Sequence, residues 1–429
     1  MLRMNSTYDV IVLGGGLAGQ VAALTAKTPQ NRVLLVTKGY GSFYYGPGVI
    51  DVLGRRCGKP VVQPWGQIDQ LRVLHPYRIL GEQRVRQAID LFARHLGENG
   101  FPLLGGSQGK NLLLPTALGS IRPTYLAPLS IAQGEVRQEG DVKILGFEDF
   151  PYFSPQLVAA HLSQGLNRLG ITKKVSWGTV KLGLGRQRPI SSYDVALWLD
   201  HADHRRSFIN ELLSQLGREE RIGFPAVLGL TQHREVVDRL EQELGKRVFE
   251  IPTIPPSVPG IRLHESLSGL LREKGVEMWT GYPVIGATIR RNYIQEVQVD
   301  VPGKTRSLQG NRFILATGGL GGEGLLSGPG WVKEPVFDLP VYFHPHVDKW
   351  SHRHLWKEQP YACFGLRVDS KMRPLDGEGN VCFTNLFAAG NILAFFDSTA
   401  EKSSSGIDIA TGITAGRACR EEVECGASA

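Results

Sequence analysis

An α/β fold with a largely parallel sheet, assembled from both ends of the chain around an inserted α/β middle, is what this sequence predicts. Three observations carry that reading. An apolar run from Tyr8 to Leu13, broken only by Asp9, leads straight into Gly14-Gly15-Gly16-Leu17-Ala18-Gly19. Two much later apolar runs end in similar small-residue turns, Ala316-Thr317-Gly318-Gly319 and Ala388-Ala389-Gly390-Asn391. Between them lie amphipathic helical patterns that need a sheet or other helices to cover their apolar stripes.

Composition bounds the answer. A chain of 429 residues, 42% hydrophobic and 21% charged, can bury large cores in two or three domains, which excludes a disordered or fibrous protein. The net charge of +7 is spread along the sequence, so it favours small anions or acidic surfaces and does not argue for nucleic acid. The 52 glycines point to backbone that approaches a ligand closely. Cys57, Cys363, Cys382, Cys419 and Cys425 make no CxxC, so no structural zinc, iron-sulfur cluster or disulfide framework is expected, and a reduced, cytoplasmic chain fits. No stretch reaches the ~18 apolar residues that span a bilayer, and no signal-peptide pattern opens the sequence. Membrane association is therefore expected only through a partner.

Element by element, Tyr8–Leu13 reads as a strand buried on both faces, followed by an alanine-rich helix through Ala22, Ala23 and Ala26 and a strand over Val33–Val36. Ser154 and Pro155 form an N-cap and first helical position, opening a helix through Leu157, His161, Leu162, Leu166 and Leu169 that stops at Gly170. A helix near Arg205–Leu216, a strand at Phe224–Leu230 and a helix through Val236, Val237, Leu240 and Leu244, ended by Gly245, follow. After Pro252–Pro259 a helix carries Leu263, Leu267, Leu270 and Leu271 inward, Gly275 caps it, and Val276–Trp279 starts a strand. A hairpin is expected to turn at Asn292 and Tyr293, ahead of Ile294, Val297, Val299 and Val301. Arg312–Ala316 is a strand, Ile407–Glu421 a helix, and Glu422–Ala429 a frayed tail. The expected division is 1–65 and 251–429 for the cofactor domain and 66–250 for an inserted cap or substrate domain.

The first turn carries the clearest chemistry. Gly14 permits the bend, Gly16 lets backbone reach a phosphate, and Gly19 lets the helix lie close to the strand. Anionic oxygens then meet the free N–H groups of Leu17, Ala18 and Gly19 at the positive helix end. The acid that would grip a ribose after the second strand is absent, since Thr37, Lys38 and Gly39 stand there; that weakens a nicotinamide reading, and Lys38 either holds a phosphate or points to solvent. The loop Gly39, Gly41, Ser42, Tyr44, Tyr45, Gly46, Gly48 can close over a flat ring or serve as a surface connection.

Taken in order, the three turns resemble the flavoproteins with two dinucleotide-binding segments, which implies a Rossmann-like flavin-binding domain to which Thr317, Gly318, Gly390 and Asn391 bring the later chain. In that family an acid commonly bonds the ribityl chain where Asn391 stands here, which leaves FMN and FAD both open. The run Ser403-Ser404-Ser405-Gly406 before Ile407 implies, by the same resemblance, a helix start aimed at the flavin ring. Thr37-Lys38-Gly39 with its loop is similar to the fumarate reductase and aspartate oxidase type. No histidine occurs from Lys38 to Asp51, so a non-covalent flavin is implied.

A more specific resemblance covers nearly the whole chain. His75-Pro76-Tyr77 with Leu80-Gly81, Pro115–Arg122, the phrase Pro252–Leu263 and Asn385–Gly390 resemble the B-subunit of the anaerobic glycerol-3-phosphate dehydrogenases. That family implies a quinone-linked oxidoreductase acting on sn-glycerol 3-phosphate, with a second flavin subunit and a membrane-associated iron-sulfur subunit, at the inner face of the cell membrane. Such a substrate needs a cation for its phosphate and a base for its hydroxyl proton. Arg262 is the first candidate clamp, Arg122 the second, and His75 the candidate base; a salt-bridged or turn role is the alternative for each. Two rival readings stay open: an electron-transfer subunit that does not itself oxidise substrate, and a stand-alone dicarboxylate enzyme of the fumarate reductase type. His344, His346, His352 and His354 form HxH pairs in a charged segment without a further ligand set, so no metal is expected. Asp200–Arg206 reads as an exposed helix entry.

Overall fold

The computed structural model describes residues 7–148, 150–184, 190–354 and 357–426, with side chains described through residue 421. Strand β1 (Tyr8–Leu13), helix α1 (Leu17–Ala26) and strand β2 (Val33–Thr37) form the unit read from the sequence. Helices α2 (Pro76–Leu80) and α3 (Glu82–Glu98) precede a hairpin of β3 (Leu112–Pro115) and β4 (Ile121–Thr124). The middle continues with β5 (Val142–Phe147), α4 (Pro155–Arg168), β6 (Val175–Val180), α5 (Ser192–Asp200), α6 (Ala202–Gln215), β7 (Arg221–Pro225), α7 (His233–Leu244) and β8 (Arg247–Ile251). Helix α8 (Val258–Glu273) leads into β9 (Glu277–Thr280), β10 (Val284–Arg290), β11 (Tyr293–Val301) and the long β12 (Lys304–Leu315). Strand β13 (Leu386–Ala388), the one-turn α9 (Ser398–Glu401) and α10 (Ser404–Gly426) complete the chain.

The larger sheet runs β9-β2-β1-β12-β11-β10, with β13 also on β12. Its centre is parallel, and the register sets Leu13 beside both Val36 and Leu315, and Leu315 beside Ala388. Parallel strands in register end at one edge, so the turns at Gly14, Thr37, Thr317 and Gly390 emerge together from strands scattered over the whole sequence. Ligands of open parallel sheets bind outside such carboxyl ends. Strand β12 joins two patterns, since Lys304–Gln309 pairs antiparallel with β11 and Gly310–Leu315 runs parallel to β1.

Both chain ends meet in one layer over this sheet. A side-chain carbon on Gly412 would lie 2.6 Å from the Ala18 carbonyl oxygen and one on Gly416 2.7 Å from that of Ala22, so α10 presses directly on the backbone of α1. The apolar face of α3 (Val85, Ala88, Ile89, Phe92, Leu96) joins the same core, as do Ile68, Tyr77 and Leu80. These residues fall in the stretch assigned to the insert from sequence, but they pack on the cofactor side because the α3 stripe finds its partner in α10.

The smaller sheet is wholly parallel, in order β6-β5-β7-β8, with its own core running from Val136 to Val258. The Ser154 hydroxyl accepts from the Leu157 N–H and Pro155 occupies the first turn of α4, as the sequence implies. Three boundaries differ from expectation. The strand expected at Phe224–Leu230 is Arg221–Pro225, because Ala226 onward turns away and Gly229 takes φ 81°. The β10–β11 hairpin turns at Arg291 and Asn292, since Tyr293 already pairs with Arg290. The last helix stays helical to Gly426, past the tail expected from Glu422, while residues 427–429 lie outside the described residues.

Candidate functional site

At the carboxyl end of β1, Gly14 takes φ 113°, and any side chain there would strike the Ala316 carbonyl. Both conditions admit only glycine. Gly16 differs: its backbone is extended, and a carbon built on it meets nothing within 4 Å. The space beside it borders the first turn of α1, which holds no acidic residue to compete for the N–H groups of Leu17, Ala18 and Gly19. Gly39 is similarly unobstructed. A cradle open over Gly16, bounded by a bare helix start, fits an anionic phosphate.

Across the edge, the Thr317 hydroxyl is buried with no hydrogen-bond partner, and Gly318 beside it takes φ 82°. A buried hydroxyl without a partner is costly unless a ligand completes it. Gly390, at φ 80°, lies where a side chain would press on Ala18 and on the Asp408 carboxylate, and its N–H donates to the Thr411 hydroxyl at 2.9 Å. Asn391 donates to the Ser404 hydroxyl at 3.0 Å and to Asp408 Oδ1 at 3.3 Å. Burial pushes the Asp408 carboxyl up to about 7. Sequence reasoning passed over Asp408. Its signal was the spacing of four residues from Ser404, which sets both on the helix face toward Asn391.

The aromatic loop does not lie free on the surface. Ser42–Tyr45 form a short 3-10 turn ended by Gly46, and the turn rests on the start of α8, where the Tyr45 carbonyl accepts from the Ser257 N–H. Tyr40, Phe43 and Tyr44 surround the His264 ring, with centroids 4.9, 5.6 and 5.1 Å away. Gln20 then ties α8 to the first turn, donating to the Gly15 carbonyl and to His264 Nδ1, each at 3.0 Å.

Several residues nominated from sequence are committed elsewhere. The Thr37 hydroxyl bonds the Gly39 backbone and so shapes the turn. Lys38 is ion-paired with Glu323, both exposed, bridging the segments that follow β2 and β12. Ser405 accepts from the Asp51 N–H at 2.7 Å, the Gly406 N–H donates to the Asp51 carbonyl at 2.9 Å, and Ile407 is fully buried. The start of α10 is thus stitched to the segment at Asp51, and those groups do not point freely at a ring.

The three residues nominated for chemistry all have partners within the protein. His75 is buried; its Nδ1 accepts from the Tyr77 N–H at 3.1 Å, so the proton sits on Nε2, 3.1 Å from Glu401 Oε2. Both ring nitrogens are thus engaged within the protein, and His75 caps α2 and orients Glu401. Arg262 donates to Glu250 Oε2 at 2.7 Å, to Glu250 Oε1 at 3.1 Å and to the Gly229 carbonyl at 2.9 Å. Burial alone would raise the Glu250 carboxyl, but the charges of Arg262 and His233 bring it below its ordinary value. Arg262 is therefore a pin between α8 and the smaller sheet, not a clamp at the cleft. Arg122 pairs with Asp51, and burial lowers its pKa; its Nε remains buried without a partner, a donor still open to a ligand. Among the described residues no three potential metal-ligating side chains gather.

Comparison with known proteins agrees with this geometry. Residues 9–407 match the FAD binding domain family. The chain is 34% identical over 424 residues to the probable anaerobic glycerol-3-phosphate dehydrogenase B-subunit of Halobacterium salinarum, covering 97% of this chain and 98% of that protein. It is 31% identical over 426 residues to the anaerobic glycerol-3-phosphate dehydrogenase B-subunit of Pectobacterium atrosepticum, covering 95% and 97%. Among solved structures, 3-ketosteroid delta1-dehydrogenase from Sterolibacterium denitrificans aligns with a TM-score of 0.45 at 11% identity over 97% of this chain and all of that one. Quinol fumarate reductase FrdA of E. coli aligns with a TM-score of 0.45 at 10% identity over 98% of this chain and 71% of that one. The chain is a flavin-dependent oxidoreductase that belongs to the FAD binding domain family and, within it, to the B-subunit family of the anaerobic glycerol-3-phosphate dehydrogenases.

Proposed function

We propose that this chain is the flavoprotein subunit of a quinone-linked glycerol-3-phosphate dehydrogenase, oxidising sn-glycerol 3-phosphate to dihydroxyacetone phosphate. It passes electrons to a second flavin subunit and a membrane-associated iron-sulfur subunit. The observation that carries the reading is the convergence of Gly14, Gly16, Thr317 and Gly390 at one sheet edge, in a chain whose curated relatives match it end to end. No described helix is long and apolar enough to cross a membrane, which supports attachment through a partner.

Bound flavin supplies the two-electron acceptor for such an oxidation. The chain's own residues do the rest. The open cradle at Gly16 and the start of α1 would hold the cofactor's phosphate, and Thr317 and Asn391 would offer it hydroxyl and amide partners. The loop from Gly39 to Gly48, braced on α8 through Gln20 and His264, would cover the flavin. Substrate lies beside Asp51 and Arg122, where the stitched start of α10 meets β4. In this reading residues 1–65 and 251–429, together with α2 and α3, make the cofactor part, and the smaller-sheet region within 66–250 is the insert that closes over substrate.

The test is anaerobic mixing of the flavin-loaded chain with sn-glycerol 3-phosphate, alone and with its partner subunits, followed by flavin absorbance. Bleaching of the isolated chain supports the reading. Bleaching that requires the partner selects an electron-transfer role. Turnover of a dicarboxylate without response to glycerol 3-phosphate sinks both.

A further inference from the structure

Asp51 stands at a crossing of four segments. Its backbone is bonded to Ser405 and Gly406, its Oδ2 is paired with Arg122, and three residues on, the Gly54 N–H donates to the carbonyls of Glu401 and Lys402 at 3.0 and 3.1 Å. A carbon built on Gly54 would lie 2.8 Å from Lys402 Cβ and 3.2 Å from the Pro123 carbonyl oxygen, so the Lys402 side chain leaves the backbone next to the residue that follows Arg122. The half-buried Lys402 ammonium has a lowered pKa, through burial and then through the positive charges of Arg122 and Arg55. Asp397 also faces it, but Asp397 accepts from the Thr399 and Ala400 N–H groups as the cap of α9, and the Glu401 carboxylate is held by His75 and Ser403.

Two polar atoms here are buried and unpartnered, Asp51 Oδ1 and Arg122 Nε. One is an open acceptor and the other an open donor on the two members of a single ion pair. A hydroxyl and a phosphate on one small molecule present the opposite pair of needs. Charge points the same way. Arg122 is offset by Asp51, which leaves Lys402 and Arg55, and a phosphomonoester carries about −1.5 to −2 near pH 7.

We propose that Lys402, Arg55 and Arg122 form an anion subsite beside Asp51 that takes the phosphate of a compact polyol monophosphate, with Asp51 Oδ1 accepting a hydroxyl of the same molecule. The inference deepens the function proposed above and rests on it for the identity of the polyol. It brings in Lys402, Arg55 and Asp51, none of which stands out in the sequence.

Calorimetric titration of the flavin-loaded chain with inorganic phosphate, with sn-glycerol 3-phosphate and with glycerol tests it. Both phosphates are expected to bind. Lys402→Ala should weaken both by tenfold or more with flavin content and melting temperature unchanged, and Lys402→Arg should restore most of the affinity. Equal phosphate affinity in Lys402→Ala and the parent, or no phosphate binding by the parent, overturns the subsite. Lys402-dependent binding of both phosphates without any flavin reduction by glycerol 3-phosphate leaves the subsite standing and removes the substrate assignment above. Normal reduction in a Lys402→Ala variant of unchanged phosphate affinity removes the subsite alone.

Discussion

Gln20 Nε2 lies 3.0 Å from His264 Nδ1, joining the helix that begins the first cofactor turn to α8, 244 residues away. Because Nδ1 accepts, the His264 proton is on Nε2, where it faces the Ser268 hydroxyl at 3.3 Å. The pair is buried under Tyr40, Phe43 and Tyr44, and burial, ahead of the opposing influence of Glu265, lowers the His264 pKa.

That depression has a sign. A histidine whose folded pKa lies below its unfolded value adds stability that is complete above the unfolded pKa, about 6.5, and is lost as pH falls through the folded one. Flavin retention should therefore weaken as pH falls below that unfolded value and through the lower folded one, as protonation sets two donors face to face. Gln20→Ala should lower flavin affinity roughly tenfold at pH 7.5, the worth of one buried hydrogen-bond pair, and flatten that acid limb. Fluorescence of released flavin across pH checks both; an unchanged acid limb in Gln20→Ala refutes the coupling.

Asp408 behaves in the opposite sense. Its folded pKa is raised to about 7 from 3.8, so its favourable contribution is complete below 3.8 and lost as pH rises through about 7. Asp408→Asn should remove that loss, leaving the apo chain more stable than the parent at pH 8 by roughly 1–2 kcal/mol, after discounting for partial exposure, and little changed at pH 4. Urea denaturation at the two pH values decides it.

Gly16→Val and Gly14→Ala should separate cofactor binding from folding. Valine at Gly16 meets no protein atom within 4 Å of its first carbon, so the apo fold should persist while bound flavin falls to a small fraction of the parent. Alanine at Gly14 adds a clash to a left-handed backbone and should cost roughly 2 kcal/mol or more of stability. Circular dichroism with flavin stoichiometry distinguishes them, and a Gly16→Val protein that keeps its flavin would argue against the cradle.

Arg262→Ala leaves the Glu250 carboxylate, fully buried, without its main counter-charge, a change of about 3–5 kcal/mol. The expected phenotype is a lowered melting temperature and protease sensitivity in the smaller sheet. Partial rescue by adding Glu250→Gln would follow from removal of the stranded charge. A change confined to KM for glycerol 3-phosphate, with unaltered stability, would return Arg262 to the substrate site.

What could be read from the sequence were features whose meaning is local. Gly14 was legible because a tight turn before a helix demands positive φ whatever surrounds it, and Ser154-Pro155 because a cap and a first turn are neighbours in the chain. The parallel sheet followed from apolar runs that only double burial explains. The roles of charged and titratable side chains were different in kind. Arg262, Arg122 and His75 each carried the right chemistry, but what a guanidinium or imidazole does depends on which atoms fill its donors and lone pairs. Those atoms belong to Glu250 and Gly229, to Asp51, and to Glu401, brought up by sheet register and helix packing. The same packing placed Asp408 against Asn391 and Lys402 beside Arg122, since burial and charge proximity are properties of the assembled chain, and no residue acquires them alone.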